Sequence, residues 1–533
     1  MRAPAGSVVV IGGGIAGLAT AALLARDGLS VTVLEQHASV GGRAGSWESE
    51  GFRFDTGPSW YLMPEVFDHF FRLLGTSTAE QLQLVTLDPG YRVFFEGRTQ
   101  TLDIVADPMA NRELFERVEP GAGFALDRYL ASAAETYRMA VDHFLYSTFA
   151  SFRPFATRNL LRRLGRLGRL LLQPLDRFAA GYVRDDRLRQ ILGYPAVFLG
   201  TSPSQAPSMY HLMSHLDLDD SVRYPLGGFS TLIDRIAGLA TREGVVVETG
   251  ARVTAIRTGP GDRMPRVSGV DYVDAAGIAR RLDAGLVVSA ADLHHTEVDL
   301  LPERFRTYPQ SWWERREPGP GAVLVYLGIS GRLPQLAHHS LFFTANWADG
   351  FERIYGEHPS IPDPASIYVC RPSATDPGVA PAGSENLFVL IPVPADESIG
   401  AGGVGGTGDA RVERAADAAI AQIAGWARIP DLADRIVVRR TVGPADFAAD
   451  LNAWRGGALG PAHTLRQSAF FRGRNASAKV DGLLYAGGST IPGIGLPMCL
   501  ISAELVVKRL RGDTSTGPLP EPLGVTLQEE RPA

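Results

Sequence analysis

The chain has 533 residues, 45% of them hydrophobic and 21% charged, which excludes a disordered or fibrous protein and predicts roughly two to four compact units. Its net charge of −6, from 52 basic and 58 acidic residues, provides no global field for nucleic acid, and among the basic residues only Lys479 and Lys508 are lysines. The two cysteines, Cys370 and Cys499, exclude a disulfide-stapled secreted fold and a cysteine-rich metal site, and suit a reducing, cytoplasmic compartment.

Ser7 to Ala25 carries no charge and imitates a signal peptide or membrane span. The run Val8-Val9-Val10-Ile11, then Gly12-Gly13-Gly14, then alanine and leucine instead predicts a buried strand, a glycine turn and a helix. Gly12-x-Gly14-x-x-Gly17, with Ala16 inside it, lets backbone N–H groups approach a pyrophosphate at a helix N-terminus. A second strand, Val31 to Leu34, ends at Glu35, where a carboxylate accepts both hydroxyl protons of an adenosine ribose, and Gln36 follows. Gly400-x-Gly402-x-x-Gly405 matches the same glycine expression but has neither strand nor acidic residue in place, which predicts a flexible loop. After Glu35 come Gly41-Gly42-Arg43-Ala44, which permits close backbone approach and offers a guanidinium to a phosphate, and Asp55-Thr56-Gly57-Pro58-Ser59.

Together these segments resemble the FAD-dependent amine oxidase and carotenoid desaturase superfamily. Phe54 to Pro64, Leu336-Ala337-His338-His339-Ser340, Pro372 to Pro377, Leu387 to Pro394 and Tyr485 to Met498 are similar to the bacterial phytoene desaturase family, so the likeness runs from about residue 8 to about 510. The resemblance implies an α/β fold with a Rossmann-like FAD-binding domain and an inserted α+β lobe for substrate and membrane contact. It implies FAD contacts at Gly12, Gly13, Gly14, Ala16, Gly17, Glu35, Gln36, Arg43, Gly57, Pro58, Ser59, Val253, Gly487, Gly488, Pro497 and Met498. Many relatives carry His-Pro-Gly where this chain has Ile491-Pro492-Gly493, so no proton-transfer role for that histidine carries over.

The FAD domain is expected to be discontinuous, from 1–90, 221–300 and 481–511. Within it a helix runs from Gly228 to about Leu239, strands form at Val245–Glu248, Ala251–Ile256 and Leu286–Ser289, and a strand, glycine turn and helix fill Gly482–Leu510. Residues 91–220 and 301–480 form the substrate lobe, and 512–533, rich in Pro, Gly, Thr and Glu, reads as a disordered tail. From Arg158 to Leu175, Leu160, Leu164, Leu167, Leu171 and Leu175 share one helical stripe, with Arg158, Arg162, Arg166 and Arg169 opposite. That pattern suits either a peripheral membrane helix or a packed helix with a solvated basic face. The histidines His211, His215, His294, His295, His338 and His339 have no metal-ligand spacing, and Asp217, Asp219 and Asp220 read as a solvated turn.

The resemblance implies a cytoplasmic, peripherally membrane-associated flavoenzyme that desaturates phytoene or a related lipid-soluble polyene. A hydride passes to the flavin, a proton is lost, and quinone or oxygen takes the electrons, with no side-chain base identifiable. Other readings on the same scaffold are a carotenoid isomerase, a hydroxycarotenoid desaturase, an amine or protoporphyrinogen oxidase, or a non-catalytic lipid carrier. A carrier has no need of intact Glu35, Arg43 and C-terminal glycines.

Overall fold

The computed structural model describes residues 6–151 and 158–525. Strand β1 (Ser7–Ile11) lies at the centre of a five-stranded parallel sheet, between Leu286–Ser289 and β2 (Ser30–Glu35), with Leu483–Tyr485 and Val246–Thr249 at the edges. A strand with neighbours on both edges, helix α1 on one face and the strands Arg252–Gly259 and Arg266–Val273 on the other has no solvated side, which explains the unbroken apolar run Val8–Ile11. Helix α1 (Ile15–Arg26) is buried from Ile15 to Leu24 and packs on the C-terminal helix Leu496–Leu510 and on Phe229–Arg242. Burial on every side gives it the apolarity of a membrane segment. Among the described residues no helix is long and apolar enough to cross a membrane.

A second, seven-stranded sheet draws its strands from residues 91–104 and 321–442. Its strand Gly321–Ser330 alternates strictly: Val323, Val325, Leu327 and Ile329 face the core beneath helix Ala410–Trp426, whereas Ala322, Leu324 and Tyr326 face the other way. That second face forms one wall of a large cavity between the two sheets.

Three expectations need correction. Residues 512–525 are packed rather than disordered: Leu519 and Leu523 are buried, and the fully buried Lys508 ammonium donates to the carbonyls of Tyr146, Ser515 and Gly517 at 2.9, 2.9 and 2.6 Å. The remainder of that segment, 526–533, lies outside the described residues. The Gly400–Gly405 loop is pinned, because Ala401, Gly402 and Gly403 donate their N–H groups to Asp409, Asp446 and Thr441, leaving none of those three for a phosphate. Asp217 is not solvated; it is buried and accepts the phenol protons of Tyr91 and Tyr194, and burial pushes its carboxyl up to about 7.

The leucine stripe is interrupted. Helix Arg158–Leu172 ends at Gln173-Pro174, where proline cannot continue it, and Leu175 is buried at the start of another helix, Leu175–Ala180. Leu167 packs on Met139 and Phe144, while Arg163 and Arg166 both pair with Glu135. Arg162 and Arg169 are exposed, and the side chains of Arg158, Leu160 and Leu164 lie outside the described residues.

Candidate functional site

The site begins at the end of β1. Gly12 turns the chain at φ +96°, and a Cβ on Gly17 would collide with the Gly12 carbonyl, so glycine at both positions lets α1 start directly against the strand. Gly13 and Gly17 stand behind the cavity wall, and Gly12, Gly14 and Ala16 line it. The α1 N-cap, Gly14, provides no side-chain cap, so the helix presents its N-terminal dipole and N–H groups to the cavity. Glu35, at the end of β2 and 4% exposed, accepts the Gly13 N–H at 2.6 Å and the His37 N–H at 2.8 Å, one on each oxygen. The two bonds fix the carboxylate at the cavity edge with lone pairs to spare for hydroxyl donors. Gln36 also lines the cavity; its amide is tied to the Asp450 carbonyl and to Asn452, so residues 450–452 fold over this end. Val253 lines the same end from the strand Arg252–Gly259.

Arg43 lies on the one-turn helix Gly42–Ala44 as an exposed cavity-lining cation, without a carboxylate partner among the described residues. Gly57, Pro58 and Ser59 line the wall beside it, and a Cβ on Gly57 would strike the Arg43 carbonyl. Asp55 is structural: it accepts the Phe229 and Ser230 N–H groups at 2.8 and 3.1 Å and so caps helix Phe229–Arg242 from another segment.

At the far side Gly487, at φ +110°, and Gly488 line the cavity, as do Pro497 and Met498 in the first turn of Leu496–Leu510, whose N-cap Gly495 again offers no side-chain cap. Two uncapped helix N-termini and an unpaired guanidinium facing one cavity, with a carboxylate at one end, form a donor set that fits FAD: cationic ends for the diphosphate and an anion for the ribose.

Several contributing residues escaped sequence reasoning. Arg472 is buried and donates to the Gly488 carbonyl at 3.1 and 2.5 Å. Asn475 donates to the carbonyls of Tyr485 and Ile491, at 3.3 and 3.1 Å, and to Thr490 and Ser502, fixing the last glycine turn. His463 accepts the Ile494 N–H at 3.4 Å and bonds Tyr210 at 3.0 Å, so an imidazole from another segment stands beside Ile491-Pro492-Gly493. These residues lie between 460 and 475, outside any glycine motif, and only their fold position identifies them.

The cavity, about 1550 Å³, exceeds the roughly 300–1,000 Å³ of ordinary ligand pockets and runs from the glycine turns into an aromatic and aliphatic tunnel. Trp60, Tyr194, Phe198 and Phe343 line its middle. Leu171, Leu172, Phe149, Phe470 and Phe471 line another part, with Phe149 and Phe470 in edge contact at 6.1 Å and Leu172, Phe470 and Phe471 exposed. The π-helical turn Val141–Leu145 brings Phe144 and Leu145 to this part. His338, His339 and Cys370 come together behind Trp60, their ligand-type atoms within 4.8 Å of one another. Burial pushes the Cys370 thiol up to about 12 and the His338 imidazole down to about 3, so both are neutral. His211, His215, His294 and His295 are dispersed, each bonded to a neighbouring residue.

Residues 15–511 match the family described as flavin containing amine oxidoreductase. The chain is 39% identical over 506 residues to a carotenoid 3,4-desaturase of Haloarcula japonica, covering 95% of this chain and 98% of that protein. It is 34% identical over 507 residues to a zeta-carotene-forming phytoene desaturase of Myxococcus xanthus, covering 94% and 93%. Among solved structures it is similar to an oxidoreductase from Methanosarcina mazei, with a TM-score of 0.59 at 16% identity over 94% of this chain and 100% of that one. It is also similar to cyclohexylamine oxidase from Brevibacterium oxydans, with a TM-score of 0.55 at 17% identity over 95% and 100%. At those identities the structural likeness shows the fold.

Proposed function

Since the chain belongs to the flavin containing amine oxidoreductase family, we propose that it is an FAD-dependent carotenoid desaturase, introducing double bonds into phytoene or a related polyene. The observation that carries this reading is the continuity of one cavity from the dinucleotide cradle into an apolar tunnel. Gly12, Gly14, Ala16, Arg43 and the α1 N-terminus would hold the diphosphate, Glu35, braced by the Gly13 N–H, the ribose, Val253 the adenine end, and Gly57–Ser59, Gly487, Gly488, Pro497 and Met498 the flavin. Bound there, FAD supplies a two-electron acceptor able to take a hydride from an allylic C–H bond.

The chain's own residues do the rest. The tunnel's apolar side chains hold the polyene by burial alone, and they exclude the water that would trap an electron-deficient chain. The faces of Trp60, Tyr194 and Phe198 offer negative π density to positive charge developing along it. Leu172, Phe470 and Phe471 form the apolar rim of the entrance, so the protein sits peripherally on a membrane and draws its substrate from the bilayer, and a quinone or oxygen reoxidises the flavin.

The test is anaerobic: FAD-loaded protein, phytoene in liposomes, and a quinone. Longer-wavelength polyenes matched by quinone reduction support the proposal. Desaturation of an already coloured carotenoid, with phytoene untouched, keeps the activity class and changes the substrate. A folded, flavin-loaded protein that oxidises no polyene overturns it, and a protein that binds polyene but retains no flavin is a carrier.

A further inference from the structure

Desaturation removes a proton as well as a hydride, and among the described residues the carboxylates at the cavity are otherwise engaged: Asp55 and Asp292 cap helices, Asp446 accepts the Gly402 and Gly443 N–H groups, and Glu35 and Asp450 stand at the adenosine end. The geometry points to a proton relay of Ser59, Tyr368 and His339. This inference rests on the proposed desaturation. Ser59 and Tyr368 both line the cavity where the Gly57–Ser59 turn opens into the tunnel. The Ser59 hydroxyl lies 2.6 Å from the Tyr368 phenol oxygen, which lies 2.7 Å from His339 Nδ1.

The direction of the chain follows from its end. His339 is fully buried, and its Nε2 has no hydrogen-bond partner among the described residues, so Nδ1 is its one route for proton exchange. With the resting proton on Nε2, Nδ1 accepts the Tyr368 O–H, the phenol oxygen accepts the Ser59 O–H, and the Ser59 lone pairs face the cavity. The groups around the imidazole are uncharged at neutral pH: His338 at a ring distance of 4.6 Å, the Cys370 thiol, and the Tyr368 phenol. Trp60 stacks on the His339 ring at 4.4 Å and 10°, offering its π face to an imidazolium.

The proton balance closes. After hydride loss, the C–H bond next to the positive carbon breaks and its electron pair becomes the new C=C bond. Its proton moves to Ser59 Oγ as the Ser59 proton moves to the Tyr368 oxygen and the Tyr368 proton to His339 Nδ1. A C–H bond beside a carbocation is acidic enough for this weak acceptor. Burial keeps the imidazolium a strong acid, so it returns the proton along the same chain to water once product leaves. Ser59 meets the substrate; Tyr368 and His339 act through it as positioning residues.

Two measurements on the FAD-loaded protein test the relay. In the first, ¹⁵N-histidine NMR, with the His339 signals assigned by His339→Gln, is expected to show Nε2 protonated and Nδ1 as an acceptor whose shift changes in Tyr368→Phe. A proton on Nδ1 overturns the relay, because Tyr368 then points its own proton away from His339. The second is single-turnover formation of the longer-wavelength polyene, which requires the proton to leave, with a substrate deuterated at the proton-losing carbon. Tyr368→Phe and Ser59→Ala are each expected to slow product formation about 100-fold or more with a larger isotope effect, and Tyr368→Phe is expected to retain its flavin content. Rates within about twofold of the parent, with the isotope effect unchanged, overturn the relay while leaving the desaturase reading intact. A parent protein that oxidises no polyene overturns both.

Discussion

Glu35→Ala tests the adenosine end of the cradle, and its size follows from the bonds on each side of the carboxylate. Glu35 is 4% exposed and already accepts two backbone N–H groups, at 2.6 and 2.8 Å, so its charge is fixed before any ligand arrives. A ribose hydroxyl donating to this pre-positioned anion makes a charge-assisted bond of about 1.5–3 kcal/mol. Removing one such bond raises the Kd for FAD about tenfold to about 150-fold, and removing both takes it further. The same substitution strands the Gly13 and His37 N–H groups, at about 1–3 kcal/mol of folding stability for each that stays buried and unpaired. The two losses are separated by titrating FAD into apoprotein shown to be folded by far-ultraviolet circular dichroism, and by comparing apoprotein melting temperatures. A folded Glu35→Ala protein with parental FAD affinity would refute the ribose role, whatever its melting temperature.

Leu172, Phe470 and Phe471, changed together to Ser, should release the protein from neutral vesicles in a sedimentation assay while leaving FAD binding intact; cosedimentation equal to the parent's places the membrane contact elsewhere. Lys508→Met should free residues 512–525, costing about 1.5–3 kcal/mol for a charge-assisted bond lost, and hydrogen exchange at Leu519–Leu523 should accelerate. Burial holds His211 down to about 4 and His338 down to about 3 in the folded protein, so the unfolded chain binds more protons below the ordinary histidine value of 6.5. Stability should therefore fall as pH drops from 6.5 towards 4, by about 1.4 kcal/mol per pH unit for each histidine, and His211→Gln should flatten the slope in denaturant titrations.

The FAD lobe was the most legible part because its signals are local. A glycine at φ +96°, a strand before it and a carboxylate after the next strand lie within one short stretch of chain, and β1, α1 and β2 form where the run Val8–Glu35 predicts them. The residues that complete the site are not local. Arg472, Asn475 and His463 act on the turn at 487–494 through side chains carried by an irregular segment with no periodicity to read. Periodicity also misled where two environments share one pattern. The leucines from 167 to 175 repeat at helical spacing, but Leu167 and Leu171 line the cavity, with Leu167 packed on Met139 and Phe144, and Leu175 lies beyond a proline break. In the tail, Leu519 and Leu523 are too few to outweigh the surrounding Pro and Glu in composition, yet two buried leucines and one lysine suffice to pack it.

The contacts between the two sheets decide how a long substrate enters. Tyr326 donates to the Thr56 carbonyl at 3.0 Å, Asn386 to the Arg53 carbonyl at 2.7 Å, and the Gly227 N–H to Asp376 at 2.7 Å, each joining the second sheet and its connections to a segment beside the glycine cradle. Asn386 and Asp376 are buried, so swinging the sheets apart would expose paired polar groups and the apolar wall of Ala322, Leu324 and Tyr326 together. An entrance by lobe opening is therefore costly. The rim of Phe149, Leu172, Phe470 and Phe471 lies outside that joint, and the π-helical turn Val141–Leu145 beside it is already the least regular part of its helix. A linear polyene threading lengthwise past this rim needs only local side-chain movement. It would reach Ser59 and Trp60 with the cradle undisturbed, which favours an extended substrate over a globular one.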